Sequence, residues 1–276
     1  MRPRNNRRSL ALLLGYSLAG LIICAIFFTA LQVLGLLSLL GPGGGARSPL
    51  ETRLEGGQVD SLRVQVHGDL TLRQGPALRV ETQNADDSFR CDLQDGKLTV
   101  SSDSGLNWLV NWRGIRQKVI VTLPEGVQLE EALLSVGAGD LEVEGLDARR
   151  LTLEGGVGDV ICRRLNAAES SQVTMGVGDI EILSGQLQNL EISGGVGDLE
   201  CAASLLGQCT VESGVGDIDL TLAGSFRDYR IQIKKGVGDV EIDGEDVKNG
   251  AYGDAAAPNV LDISGGVGDI EIEFEG

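Results

Sequence analysis

Leu190-Glu191-Ile192-Ser193-Gly194-Gly195-Val196-Gly197-Asp198-Leu199-Glu200-Cys201 alternates apolar and polar residues, meets a cluster of glycines, and alternates again. Counting by twos from Ile192 passes through Gly194 and Val196 to Asp198, which would place a carboxylate inside, yet the next apolar pair is Leu199 and Cys201. The phase therefore slips by one residue at Gly197-Asp198. A slip of this kind needs a corner or a bulge, and glycine tolerates the backbone angles it demands. Period two in apolar residues on both sides predicts two half-buried strands joined at that corner. The middle valine stays in phase with the first strand and is expected to point inward.

The motif recurs. Gly-Val-Gly-Asp occurs six times, ending at Asp159, Asp179, Asp198, Asp217, Asp239 and Asp269, and the variant Gly137-Ala138-Gly139-Asp140 is a seventh copy. Successive aspartates lie 19, 20, 19, 19, 22 and 30 residues apart. A fixed period of this size marks a repeat architecture whose units stack to share one core. Apolar pairs flank every corner, such as Leu151 and Leu153 before Asp159 and Val160 and Cys162 after it. Twenty residues cannot hold a strand-helix-strand crossover, whose connection alone needs a dozen or more. The reading is an all-β chain, a parallel β-solenoid (β-helix) of about 20-residue coils. Each coil is a strand, a glycine corner, a second strand and a polar return of about six residues, with Val157, Val177, Val196, Val215, Val237 and Val267 as an internal ladder.

Outward from the repeats, residues 50–128 are β-rich but irregular and read as N-terminal coils or a cap, while 129–276 hold the repeats. Leu62 to Leu72 forms a degenerate repeat with its own Gly68-Asp69, and Ala77 to Thr82, Lys97 to Val100 and Lys118 to Leu123 read as further strands. Asp243 to Pro258 lengthens one coil and reads as a solvated excursion. The final repeat, Asn259 to Gly276, shows no obvious cap, so it is expected to leave a β edge able to pair with another copy as a homo-oligomer.

Residues 9–40 contain no charged side chain, and Arg2, Arg4, Arg7 and Arg8 precede them. About 20 apolar residues cross a bilayer. The pattern predicts one N-terminal transmembrane signal anchor over 9–40, a basic cytoplasmic tail over 1–8 and a Gly-rich linker over 41–49. The basic flank places 50–276 outside the cell membrane. The first 48 residues hold five of the 23 basic side chains and no acid, so the remainder carries 18 bases against 40 acids, a net charge of −22. Such a domain repels nucleic acid and anionic lipid, and admits cations or basic partners.

The run Lys118-Val119-Ile120-Val121-Thr122-Leu123-Pro124-Glu125-Gly126, followed by repeated Gly-x-Gly-Asp-[Ile/Val/Leu]-x-[Ile/Val/Leu] units, resembles the bacterial putative-adhesin domain family of unknown function. The resemblance covers most of residues 50–276. It implies a β-helical surface domain, often membrane-anchored, with no established catalytic residues.

Chemistry-bearing patterns are few. The column Asp140, Asp159, Asp179, Asp198, Asp217, Asp239 and Asp269 would set carboxylates about 4.8 Å apart, where mutual repulsion favours a bound cation such as calcium. Against that, calcium-binding nonapeptide solenoids repeat every nine residues, and an aspartate at a turn more simply accepts backbone N–H bonds. No Lys-Ser/Thr follows the glycines and no helix opens after them, which argues against nucleotide binding. His67 is the only histidine and no Gly-x-Ser-x-Gly occurs, which argues against hydrolase chemistry, and no cofactor is expected beyond the calcium that the aspartate column would admit. Cys162 and Cys201 fall two coils apart, beyond disulfide reach, and read as small buried hydrophobes. Trp108, Trp112, Arg113, Arg116 and Lys118 gather aromatic and basic residues in an acidic domain and form a candidate binding surface, or else a loop covering one end. The expected function is a non-enzymatic, membrane-anchored cell-surface interaction or scaffold protein whose partner is a protein or a surface glycan. The alternative is a sensory or regulatory protein of envelope stress that receives a ligand on its solenoid.

Overall fold

The structure is a computed structural model and describes residues 50–85, 87–102 and 116–275. Among these residues the chain is all-β: 24 strands and one short 3-10 turn at Phe226–Asp228, with the strands joined in one hydrogen-bonded network. The apolar run 9–40 lies outside the described residues. Among the described residues no helix is long and apolar enough to cross a membrane.

The corner predicted at Gly197-Asp198 is present. Strand Leu190–Val196 lies parallel between Leu165–Val177 and Gln208–Val215, with Ile192 beside Val173 on one side and Val211 on the other. After the corner, Leu199–Leu206 lies parallel between Ile180–Ile182 and Ile218–Ala223. Each coil thus repeats the one before at the strand spacing of about 4.8 Å. Ile192, Leu199, Cys201, Val211 and Leu220 are all buried, as the two phases require.

The return segment is less polar than its composition suggests. Leu146, Leu165, Ala148, Ala167, Leu187 and Leu205 are buried in it, and their strands pair in register from coil to coil. The core therefore has a third wall. An outward charged or polar residue between each buried pair hid this wall in the sequence.

Sequence order and spatial order agree from Asp140 to Asp217 and part company at both ends. The last repeat is not an edge. Asn259–Val267 pairs in parallel with both Gln208–Val215 and Tyr229–Val237, and Ile270–Glu275 pairs with both Ile218–Ala223 and Val240–Ile242. The coil ending the sequence is thus inserted between the two before it. Asp243 to Pro258, expected as a solvated excursion, makes this return. It also contributes Glu245–Asp246 and Gly250–Gly253, which cap the outer coil in antiparallel fashion. At the other end Ser61–Val66 and Asp69–Gly75 sit between the coil of Leu129–Ala138 and Leu141–Val143 and the later strands Lys97–Ser101 and Lys118–Pro124. Antiparallel strands Arg90–Gln94 and Arg79–Gln83 close that end, with Glu51–Glu55 outermost.

Cys162, Ile182 and Cys201 occupy one ladder position in successive coils, so the two cysteines are two coils apart as read. Both are buried free thiols, and burial pushes each up to about 12.

Candidate functional site

The repeated corner resolves into three columns with different duties. Both glycines of each motif are fixed by the coil beneath. A Cβ on Gly195 would lie 2.2 Å from the Gly176 carbonyl oxygen, and one on Gly197 would lie 2.1 Å from that of Gly178. The second glycine also turns the chain, with φ of +142° at Gly197, a conformation that residues with a Cβ rarely adopt and that costs them about 1–3 kcal/mol.

The aspartates form a zipper between coils. The Asp217 N–H donates to Asp198 Oδ1 at 2.9 Å, the Asp198 N–H to Asp179 Oδ1 at 2.9 Å, and the Asp179 N–H to Asp159 Oδ1 at 3.1 Å. Asp159 reaches Asp140 at 3.2 Å and Asp140 reaches Asp69 at 3.3 Å. At the far end the series follows space and not sequence: Asp269 donates to Asp217 at 2.7 Å and Asp239 to Asp269 at 2.8 Å. The expectation that the aspartates accept backbone N–H bonds is met at Asp140, Asp159, Asp179, Asp198, Asp217 and Asp269, with the donor in the neighbouring coil, while Asp239 in the outer coil only donates. Among the described residues no group of three or more His, Cys, Asp or Glu side chains is arranged to hold a metal ion.

Basic residues sit at the two ends of this column. Arg116 lies 3.5 Å from Asp69 and 3.8 Å from Asp140, and Lys235 Nζ lies 3.4 Å from Asp269. The Asp239 N–H, together with Lys235, holds the Asp269 carboxyl below the usual range. Asp159, Asp179, Asp198 and Asp217, between these ends, form no ion pair with the described residues. Two positions after the aspartates a second acidic column runs through Glu181, Glu200, Asp219, Glu271 and Glu241, each in register with the next. Burial raises the Asp219 carboxyl, and Glu271, Asp217, Glu200 and Asp198 raise it further. Period two made this column readable, because these residues stand between the members of each apolar pair.

The valines are the correction. They are in register from coil to coil but face solvent: Val157, Val196, Val215 and Val267 are 45–51% exposed and Val237, at the end of the column, is 65% exposed. Val177 is half-buried. The core is already closed by the residue two positions earlier, where Met175 and Ser213 are buried, Gly155, Gly194 and Gly265 stand in three other coils, and Lys235, its side chain buried, stands in the outer one. The strand thus reaches the corner past the edge of the core, and the in-phase valine has nothing left to pack under. Ala138 takes the same position in the first regular coil and is exposed too.

Of the aromatic and basic cluster, Trp108, Trp112 and Arg113 lie outside the described residues. Arg116 caps the aspartate column, and Lys118 begins the strand beside Asp69. His67 is exposed at a corner one residue shorter than the others, its N–H donating to Ser102 Oγ at 3.2 Å, and it covers the glycine at Gly137. At the opposite end a polar cavity of about 610 Å³ is lined by residues including Lys235, Asp239, Asp246, Lys248 and Asn249. Asn249 pins one wall, accepting from the Lys235 N–H and donating to its carbonyl, both at 2.8 Å.

A family model described as Toastrack DUF4097 matches residues 59–273. Similar solved structures include a putative adhesin from Bacteroides fragilis, 17% identical over 82% of this chain and 97% of that one, with a TM-score of 0.42. A putative cell adhesion protein from Clostridium sporogenes is 14% identical over 83% and 99% of the two chains, with a TM-score of 0.33. A putative lipid binding protein from Parabacteroides distasonis is 15% identical over 85% and 98%, with a TM-score of 0.36. At these scores the likenesses carry no functional argument. No curated protein matches the chain.

Proposed function

The chain belongs to the Toastrack DUF4097 family, and from that premise we propose that it is a non-enzymatic interaction module, a β-solenoid held at the outer face of a cell membrane by the apolar segment 9–40. One observation carries the reading: the fold stacks like residues into continuous outward columns, so that any contact made by one coil is repeated by the next. A partner therefore meets a linear, multivalent surface. The fixed spacing also supports the reading, because parallel ladders hold the columns on a rigid frame. The net charge of −22 over residues 49–276 favours basic partners. The reading needs neither cofactor nor metal.

Two measurements on intact cells making the full chain test it. Protease added outside should remove residues beyond the linker, and a photo-cross-linker at Glu191, an exposed strand position away from the corner, should yield a discrete adduct. A chain protected until the cells are lysed would overturn the proposal.

A further inference from the structure

Glycine and aspartate in each corner are accounted for by the stacking itself, and valine is not. Its position is outside the core, tolerates Ala138, and is nonetheless valine in six coils. In register at about 4.8 Å per coil, the six form an apolar stripe about 24 Å long. Contiguous exposed apolar surface rimmed by polar groups marks an interaction site. Two residues along the chain runs the aspartate column. Arg116 and Lys235 offset its ends, and its central members Asp159, Asp179, Asp198 and Asp217 have no basic partner among the described residues. Each of these keeps one carboxylate oxygen outside the zipper, because only Oδ1 accepts the neighbouring N–H.

We propose that the valine stripe and the adjoining central aspartates form one docking surface, and that its occupant is a cationic amphipathic polypeptide segment. Apolar side chains of that segment would lie on the valines and its Lys or Arg side chains would meet the aspartates. Charge complementarity selects this occupant. A second copy of this chain would bring a like-charged column against the first, and an anionic lipid surface would be repelled. The length fits as well, since a helix rising 1.5 Å per residue covers about 24 Å in roughly 16 residues. This inference rests on the interaction-module reading and adds the place and the partner chemistry.

The test is fluorescence anisotropy of the full chain with a labelled synthetic helix of about 18 residues made of Leu and Lys. A Lys/Ser peptide of equal charge and a Leu/Glu peptide serve as comparators. Val177→Thr, Val196→Thr and Val215→Thr together keep shape and β-branching while removing the apolar stripe. Asp179→Asn, Asp198→Asn and Asp217→Asn together keep the Oδ1 acceptors while removing charge. Both triple variants leave residues 1–58 unchanged, so any binding there is common to all. Each variant should weaken Leu/Lys binding at least about ten-fold, equivalent to roughly 1.4 kcal/mol, with little change in melting temperature. Unchanged affinity in either variant overturns the proposal, as does equal binding of the Lys/Ser or the Leu/Glu peptide. Self-association in sedimentation that the valine variant abolishes would assign the stripe to a second copy. Binding of phosphatidylcholine vesicles that the same variant abolishes would assign it to lipid. A chain that cross-links through Glu191 on cells while both variants bind peptide normally would sink this surface and leave the interaction-module reading standing.

Discussion

Between Asp140 and Asp217 each coil lies on the one that precedes it in sequence, whereas at both ends the chain lays down an outer coil and an inner coil in exchanged order. Tyr229–Ile242 goes to the outside and Asn259–Glu275 returns beneath it. Strands Lys97–Ser101 and Lys118–Pro124 go outside the earlier coil of Ser61–Gly75. The regular middle exposes identical ladder edges that need another strand. The exchanged ends supply short antiparallel strands in its place, which pair with part of each outer coil. Stacking thus builds the surface, and the ends limit its length.

The sharpest way to break this comparison is to remove residues 259–276. If the last repeat were an edge, the loss would shorten the stack by one coil. Because it lies inside, the loss removes buried Leu261, Ile263, Ile270 and Ile272 and strips the outer coil Tyr229–Ile242 of its parallel partner. We expect loss of the folded chain or a fall in melting temperature of more than about 10 °C, with early proteolysis between 229 and 253. Removal of residues 50–57, an antiparallel edge, should shift melting by only a few degrees, on the order of 1 kcal/mol.

Single glycines divide the regions next. A Cβ on Gly178 would come 1.7 Å from the Gly158 carbonyl oxygen, at a φ of +132°. Gly178→Ala should cost roughly 3 kcal/mol or more. Gly126, in the turn after Lys118–Pro124, has φ of +74° and nothing within 4 Å of the added carbon, so Gly126→Ala should cost about 1 kcal/mol. Chemical denaturation of both variants measures the difference. Equal costs would mean that the coils do not stack as tightly as the columns require.

How much of this was legible follows from what periodicity encodes. The slip at Gly197-Asp198, the parallel stacking and the aspartates' preference for backbone donors all followed from local phase and turn chemistry. The order of coils at the ends did not, because identical repeats carry no address: Leu261 and Ile263 suit a neighbour at Cys209 and Val211 as well as one at Ile231 and Ile233. The valines were misplaced because phase says which side of a strand a residue occupies and not whether core remains beneath it. Leu146 and Leu165 were missed because a single buried pair among polar neighbours is too short a run to show a period.

The aspartate zipper separates acceptor from charge. Asp198→Ala leaves the Asp217 N–H without its partner at 2.9 Å and should cost about 1 kcal/mol, read as a shift in denaturation midpoint. Asp198→Asn retains the acceptor and should restore most of the loss. If both variants fell equally, charge and not the N–H bond would hold the column. The same comparison in the outer coil, Asp239→Ala, should cost less, since no neighbouring aspartate donates to its carboxylate.

The smallest effect belongs to the acidic face of the regular middle. Asp219 is held above the usual carboxylate range by burial and by Glu271, Asp217, Glu200 and Asp198. Its folded pKa exceeds its unfolded pKa, so the folded state binds its proton more tightly. Stability from this group is greatest below the unfolded value and declines as pH rises through the folded one. Asp219→Asn should therefore raise the melting temperature at pH 7 by on the order of 1–2 °C, and the gain should vanish near pH 3. Added salt should shrink it at pH 7, because partly exposed charges are screened. Asp269 has the opposite sign: its carboxyl is depressed by the Asp239 N–H and Lys235, so its contribution is present above the unfolded pKa and lost as pH falls through the folded one. Asp269→Asn should accordingly show no gain at pH 7. A gain of equal size from both substitutions would mean that net charge alone, and not position in the columns, governs the response.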